Sequence, residues 1–335
     1  MKKRVLLMLL CLVTVFGLAA CGKSNEGKEP ASSAEESQSA QATDSKESGN
    51  AEYAVILKTQ ASDFWVKMKE GVEEEAKELG IKVDIFSAQS EENTEEQLNI
   101  LQNAVNKGYK AIGIAPLSPV NAVSAVAEAY KKGIYVMNID EKLDMDQLKQ
   151  QGGAVIGFAT TDNVAVGKKA ADFIIGKIQK GDKVAIVEGK AGNVSGEDRK
   201  NGAQKAFEEA GMTVVGSLPA DWDRQKALDV ANSFIQQNAD LKAIYCCNDG
   251  MALGALQAVM NANKLGEILV VGTDGDAEAV ASIEKGELSA TVAQDPAGIG
   301  RTSLREMVEA VKNKITVDPN AEAKVLPVES KLITK

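Results

Sequence analysis

Short apolar runs alternate with amphipathic stretches from Tyr53 onward, and this alternation constrains the fold more than any other feature of the chain. The runs recur about every 20 to 30 residues, the length of a strand, a crossover helix and a return to the next parallel strand. Because the runs are apolar almost throughout, each is expected to be a strand of a parallel sheet that is buried on both faces. Ten such strands are predicted, at 53–58, 82–87, 111–116, 134–139, 154–159, 183–189, 212–217, 242–247, 268–273 and 289–294.

Ten strands exceed the usual size of one open sheet, so the predicted fold class is α/β with two doubly wound parallel-sheet lobes. The first helix between strands is the clearest. In "FWVKMKEGVEEEAKELG" the apolar residues fall at 64, 65, 68, 72, 76 and 79, which is the spacing of one helix face, and Gly80 is the expected end.

The N-terminal segment has the pattern of a signal peptide. "MKKRVLLMLLCLVTVFGLAAC" begins with three basic residues and continues with an apolar run that ends in small residues at Ala20. The run is shorter than the roughly 20 residues that span a bilayer. Leu18-Ala19-Ala20-Cys21 resembles the lipobox of bacterial lipoproteins, which implies cleavage after a signal peptide of residues 1–20 and lipid attachment at Cys21. The alternative is an ordinary secretory signal with an incidental cysteine.

A polar segment follows the predicted lipidation site. Residues 22–50, "GKSNEGKEPASSAEESQSAQATDSKESGN", contain almost nothing apolar. Such a segment cannot bury enough surface to offset its ordering entropy, so residues 21–50 are expected to form a lipidated, flexible tether. The body of the protein would then be extracytoplasmic and lipid-anchored to the cell membrane.

Composition argues against several classes of function. The net charge of −10 disfavours binding to nucleic acid, which requires a basic surface. The chain has no histidine, which lowers the expectation of a triad hydrolase or a zinc enzyme. Cys246 and Cys247 are neighbours after an apolar run, which indicates small buried side chains. No metal and no cofactor are expected.

Polar and aromatic residues collect where the predicted strands end. In open parallel sheets ligands bind outside the carboxyl ends of the strands, so these residues are candidates for one site. Both tryptophans of the chain are among them. The candidates are Lys58, Phe64, Trp65, Asp140, Glu141, Glu197, Arg199, Trp222, Asn248, Asp274 and Gln294.

This mixture of side chains suits a sugar. Aromatic rings pack on the C–H faces of a pyranose, while carboxylates and amides share hydrogen bonds with its hydroxyls and Lys or Arg donates to its oxygens. An analogue that lacks a hydroxyl would leave a buried polar group unpaired, which is how such a site becomes selective.

The body, about 51–330, is similar to the type I periplasmic sugar-binding proteins of ABC importers, a group that includes ribose and galactose binders. The similar stretches are "EYAVILKT", "KKGIYVMNIDEKLDMDQLK", "TTDNVAVG", "EGKAGNVSGEDRKNGA", "ADWDRQKALDVA", "KAIYCCNDGMALGALQAV", "VVGTDG" and "TVAQDPAGIG". Within the group the D-allose binders are nearest, since Lys58 and Asp140-Glu141 stand where ribose binders carry Ser and Asp-Arg.

The resemblance implies that a monosaccharide, with D-allose as the first choice, binds between the lobes and is delivered to an ABC permease. Trp65 and Trp222 would sandwich the sugar ring with Phe64 at its edge, and the other candidates would bond its hydroxyls. Ribose, psicose or another pentose or hexose is the alternative ligand. The protein is expected to act as a monomer without enzymatic chemistry.

The resemblance also implies a three-segment hinge, with crossings near 160–162, 294–295 and 325. The N-terminal lobe is then expected to comprise 51–161 plus 295–325, and the C-terminal lobe 162–294 plus 326–335.

The sequence departs from the family immediately before the aromatic pair. Ser62-Asp63 stands where the family usually has Asn-Pro, whose Asn contacts sugar. Ser62 is retained as a candidate ligand. Because serine is shorter than asparagine, its hydroxyl contact is expected to be lost or bridged by water.

Simpler roles remain open for some candidates. Asp274 could be only a helix N-cap and Arg199 only a structural ion pair, while Asp162 has the position of a helix start. Paired carboxylates could serve a glycosidase, but the candidates surround a whole ring rather than flank one bond. A repressor would need a DNA-binding head where the signal peptide stands. A sugar sensor that presents its ligand to a membrane receptor stays open alongside transport.

Overall fold

The computed structural model describes residues 51–335, so the predicted signal peptide, Cys21 and the tether lie outside the described residues. Within this range no helix is both long and apolar enough to cross a membrane. The strands are β1 (Tyr53–Leu57), β2 (Val83–Ser87), β3 (Ala111–Ile114), β4 (Tyr135–Ile139), β5 (Gly157–Thr161), β6 (Lys183–Glu188), β7 (Thr213–Pro219), β8 (Leu241–Cys246), β9 (Leu269–Asp274), β10 (Ala290–Ala293), β11 (Val325–Val328) and β12 (Lys331–Thr334). The helices are α1 (Asp63–Leu79), α2 (Thr94–Lys107), α3 (Val123–Lys131), α4 (Met145–Gln150), α5 (Asn163–Ile175), α6 (Val194–Glu209), α7 (Arg224–Gln237), α8 (Asp249–Asn261), α9 (Ala277–Lys285) and α10 (Pro296–Asn313).

The strands form two six-stranded sheets, with the orders β11-β5-β4-β3-β1-β2 and β12-β10-β9-β8-β6-β7. All pairings are parallel except that of β10 with β12. Two doubly wound parallel-sheet lobes are therefore confirmed. In each sheet the strand order reverses at β1 or at β6, next to the edge strands β2 and β7, and the loops after β1 and β6 therefore open at the switch point of each carboxyl edge, where ligands bind in such sheets.

All ten predicted strands are present, but the fifth begins later than predicted. Its apolar run starts at Ala154, whereas β5 starts at Gly157, because the buried Ala154 and Val155 and the partly buried Ile156 still lead from the turn after α4 into the sheet. The short strands β11 and β12 were not predicted. They lie at sheet edges with half-exposed side chains, so they carry no continuous apolar run.

Helix α1 begins one residue before the predicted stretch and buries the predicted face except for Leu79, which is exposed. It begins after Ser62 and ends at Leu79, where Gly80 adopts a left-handed conformation with φ 65°. Its buried side chains include Phe64, Trp65 and Met68, which pack against the core of the first sheet. The helix therefore carries the aromatic pair at its first turn, directly beside the end of β1.

The chain crosses between the sheets three times. It leaves the first sheet after β5, returns through residues 294–295 to α10, which packs on α1, and leaves again between β11 and β12. The third crossing corrects the predicted boundary at 325. Val325–Val328 pairs with Phe158–Thr161 of β5, so residues 326–328 belong to the first lobe and the crossing lies at 329–330. Below, the first lobe is the one with β1 and the second lobe is the one with β6.

Candidate functional site

The carboxyl ends of both sheets meet at a cavity of about 440 Å³. Ten of the twelve predicted residues line it. The first lobe contributes side chains from the loops after β1 and β4, and the second lobe contributes side chains from the loops after β6 to β10. These residues are Lys58, Ser62, Phe64, Trp65, Asp140, Arg199, Trp222, Asn248, Asp274 and Gln294.

Phe64 and Trp65 form one aromatic wall in the first lobe. Their ring centroids lie 5.0 Å apart with an interplanar angle of 85°, an edge-to-face pair. The Trp65 Nε1–H donates to Glu91 Oε1 over 3.1 Å, which fixes the orientation of the indole. Both rings are also packed in the apolar core, so they serve the core and the cavity together.

Trp222 forms the aromatic wall of the second lobe. It has a positive φ of 63°, and its Nε1–H donates to Asn193 Oδ1 over 3.0 Å. Its ring lies directly on Gly189, where an added Cβ would come within 2.1 Å of Trp222 Cη2. Gly189 therefore makes room for the indole directly after β6.

Lys58 is a buried cation at the end of β1. Its Nζ lies 3.1 Å from Glu141 Oε2, 4.0 Å from Glu91 Oε2 and 5.6 Å from the centroid of the Trp65 ring. Burial alone would lower the pKa of Lys58, but the carboxylates of Glu141, Glu91 and Asp140 raise it above its ordinary value. Lys58 is therefore a charged donor at neutral pH.

Two predicted residues do not line the cavity, and the candidate set is corrected there. Glu141 is fully buried, and its carboxylate accepts hydrogen bonds from Lys58 and from the first turn of α6, at Val194 N (2.5 Å) and Ser195 Oγ (2.8 Å). It connects the two lobes instead of facing a ligand. Glu197 turns outward on α6, where it pairs with Lys200.

A sharp turn separates Asp140 from Glu141. Asp140 has a φ of 58°, and Glu141 N donates to Ile139 O over 2.6 Å, which is a γ-turn centred on Asp140. The turn keeps Asp140 at the cavity while Glu141 points behind it. Burial raises the pKa of Asp140 to about 6, although the nearby Lys58 opposes this shift.

Arg199 anchors the second lobe's polar wall. Its Nε donates to Asn163 Oδ1 (2.8 Å), its Nη1 donates to Cys247 O (2.7 Å), and Nη1 lies 3.5 Å from Asp274 Oδ1. The guanidinium carbon also lies 5.8 Å from the Trp222 ring centroid. Arg199 thus makes the structural ion pair named as an alternative and lines the cavity as well.

Asp274 and Gln294 are joined across neighbouring strands, with Gln294 Nε2 donating to Asp274 Oδ1 over 2.6 Å. Burial raises the pKa of Asp274, an effect that Arg199 opposes. Asp274 is not the N-cap of the next helix, because Asp276 holds that position. Asn248 is the N-cap of α8, and its Oδ1 accepts from Met251 N over 2.8 Å. Asp162, predicted as a helix start, caps α5.

Sequence reasoning missed several lining residues, including Glu91, Ser195 and Arg224. Glu91 follows the carboxyl end of β2, so the rule that found the others applied to it too. Its neighbours in "QSEEN" are all polar, so no aromatic residue marks this strand end in the sequence.

The cavity thus has aromatic faces on both lobes and buried carboxylates, amides and cations between them. Such a site can bind a small ring that carries several hydroxyl groups, since each hydroxyl both donates and accepts.

Three comparisons agree with this arrangement. Residues 53–315 match the family model described as the periplasmic binding protein domain. The D-allose-binding periplasmic protein of Escherichia coli is 56% identical over 289 residues, which cover 85% of this chain and 92% of that protein. A ribose import binding protein of Haemophilus influenzae is 34% identical, covering 84% of this chain and 91% of that protein.

A solved structure extends the likeness to three dimensions. An ABC transporter periplasmic solute-binding protein from Actinobacillus succinogenes with bound D-allose superposes with a TM-score of 0.78 at 30% identity, covering 84% of this chain and 96% of that chain. Family model, relatives and fold point the same way: the chain belongs to the periplasmic binding protein family, among the sugar-binding components of ABC transporters.

Proposed function

We propose that this protein binds D-allose between its two lobes and delivers it to the permease of an ABC importer. The observation that carries the choice of sugar is the 56% identity to a D-allose-binding protein over 85% of this chain. The structure supports it with a cavity whose lining side chains can satisfy a polyhydroxylated ring from both lobes.

The ten lining residues are proposed as the ligand set. Phe64, Trp65 and Trp222 would pack on the ring, and the polar members would bond its hydroxyls. Binding contacts from both lobes at once favour the closed form, since a ligand stabilises the state to which it binds better. The closed form is the one proposed to dock on the permease.

Ribose is the second candidate, because relatives named as ribose import binding proteins match 84% of this chain. Lys58 favours D-allose over ribose, because the family resemblance places it at the position where ribose binders carry serine. Titration calorimetry with both sugars tests the choice.

The lipid anchor is part of the same proposal. A lipobox ending at Cys21 would hold the protein at the outer face of the membrane, near the permease. Periplasmic binding proteins act outside the cytoplasm, which agrees with a signal peptide at residues 1–20.

A further inference from the structure

Four buried side-chain oxygens have no hydrogen-bond partner among the described residues. Three of them belong to residues that line the cavity: Asp140 Oδ1, Gln294 Oε1 and Glu91 Oε2. A buried acceptor without a partner costs free energy, so such atoms in a native protein call for an explanation. Asp140 and Gln294 are already proposed to meet ligand hydroxyls. Glu91 likewise has a buried oxygen without a partner, Oε2, while its Oε1 accepts from the Trp65 indole.

We infer that Glu91 is a specificity-determining residue that accepts a hydrogen bond from one ligand hydroxyl through Oε2. The inference rests on the proposed sugar-binding function and adds a side chain to it. Only one carboxylate oxygen is available, because Oε1 is engaged by the Trp65 indole at 3.1 Å. The indole bond also fixes the carboxylate, so the second oxygen is held in one place before ligand arrives.

A cation lies close to this acceptor. Lys58 Nζ lies 4.0 Å from Glu91 Oε2, too far for a hydrogen bond but close enough to attract the charge. A hydrogen bond from a hydroxyl to a carboxylate is stronger than one between neutral groups. A sugar that places a hydroxyl here would gain affinity, and one that lacks it would leave the oxygen unpaired.

Glu91 also lies at the contact between the lobes. Its backbone oxygen accepts from Lys190 Nζ of the second lobe over 2.6 Å, and Lys190 pairs with the neighbouring Glu92 at 3.1 Å. The loop that presents Glu91 is thus held in place when the lobes are together. Glu91 would therefore link the recognition of one sugar hydroxyl to the closure of the two lobes.

The test is a thermodynamic cycle in which the Glu91 side chain is changed in the protein and single hydroxyl groups are removed from the sugar. Calorimetry compares the wild type and Glu91→Gln with D-allose and with each of its monodeoxy derivatives. For D-allose the variant is expected to weaken binding about tenfold or more. For one derivative, the one without the contacted hydroxyl, the variant should change affinity by less than about twofold, because the interaction is already absent.

Two further variants separate this role from others. Glu91→Asp keeps the charge near Lys58 but draws the oxygens back, so it should lose affinity as well. Lys190→Met removes the contact of Lys190 with residues 91–92 of the first lobe and should weaken binding equally for every derivative. Glu95→Gln, an exposed site on the following helix, is the matched control and should bind like the wild type.

Equal losses for all derivatives in Glu91→Gln would overturn the inference and leave Glu91 as a support for Trp65. Wild-type affinity in Glu91→Asp would overturn it too, since only charge would then matter. If the wild type itself fails to bind D-allose, the proposed function fails and this inference fails with it.

Discussion

Glu141 Oε2 lies 3.1 Å from Lys58 Nζ, and the same carboxylate accepts from the first turn of α6 in the opposite lobe. Both side chains are buried, and the Glu141 carboxylate neutralises the charge of Lys58 on the side away from the cavity. The pair therefore joins the cavity, the end of β1 and the second lobe through one carboxylate.

Glu141→Gln should lower the free energy of unfolding by about 3–5 kcal/mol, because it leaves Lys58 charged and buried without its main partner. Lys58→Met should cost less, since α6 still satisfies Glu141. The double variant should lose less than the sum of the single losses, because the second change breaks no remaining pair. Denaturant unfolding of the ligand-free protein measures all three.

The exposed pair Lys69 and Glu73 on α1 is the control for this cycle. Its side chains are 41% and 52% exposed, so substitution there should change stability by less than about 1 kcal/mol. Additive losses at Lys58 and Glu141 would show that the two side chains do not act as a pair.

Asp140→Asn should stabilise the ligand-free protein and weaken sugar binding at the same time. Folding raises the pKa of Asp140 from 3.8 to about 6. Its stabilising contribution is therefore complete below pH 3.8 and is lost as pH rises through about 6. Because an Asn side chain does not ionise, the variant does not lose this stability above about pH 6. Asn also tolerates the φ of 58° at this position. A melting temperature higher by a few degrees at pH 8 is expected.

Sugar affinity should show the opposite dependence on pH. Ligand hydroxyls bond the ionised carboxylate, so wild-type affinity should fall as pH is lowered through about 6. Asp140→Asn should bind about tenfold more weakly at pH 8 and lack this step. Melting curves and calorimetry from pH 5 to 8 measure both, with the exposed Asp229→Asn as control. A step that persists unchanged in Asp140→Asn would exclude this carboxyl as its origin.

Trp222→Ala should weaken binding more than tenfold without unfolding the protein, because a large ring face is lost from the cavity. Gly189→Ala should have a similar effect, since its Cβ would come within 2.1 Å of the indole and displace it. Gly176→Ala is the matched control, because the nearest atom to its Cβ is 3.5 Å away. Calorimetry and circular dichroism distinguish lost affinity from lost fold. Unchanged affinity in both Trp222 and Gly189 variants would remove the indole from the site.

Cys21→Ser should release the protein from the membrane fraction of cells that express it, because the proposed thioether anchor cannot form. Cys11→Ser, in the middle of the apolar run, should leave the protein anchored. Cell fractionation measures both variants. A Cys21→Ser protein that stays with the membrane would refute lipidation at this cysteine.

The strands were predictable because a buried parallel strand must be apolar on both faces, and each such run stands out from its polar neighbours. That signal vanishes at an edge, where β11 and β12 expose half of their side chains and β11 contains Pro327. The third crossing was misplaced for this reason.

Most of the residues that line the cavity were predictable because the carboxyl ends of parallel strands lie at the same edge of a sheet. The direction in which each side chain points was not predictable. Glu141 follows a cavity residue in sequence, but the γ-turn at Asp140 sends it to the opposite side. Backbone conformation at one residue decides this, and adjacent sequence letters do not reveal it. Glu197 was misplaced similarly, because only the structure shows which face of α6 it occupies.

Titration calorimetry of the wild type with D-allose, ribose, psicose, galactose and glucose tests the central claim most directly. The account predicts that D-allose binds with a dissociation constant well below about 1 mM and at least about tenfold more tightly than ribose. Tryptophan fluorescence should change on the same titration, since Trp65 and Trp222 both line the cavity. Tighter binding of ribose would contradict the choice of sugar, and no binding tighter than about 1 mM by any of the five would contradict a sugar site between the lobes.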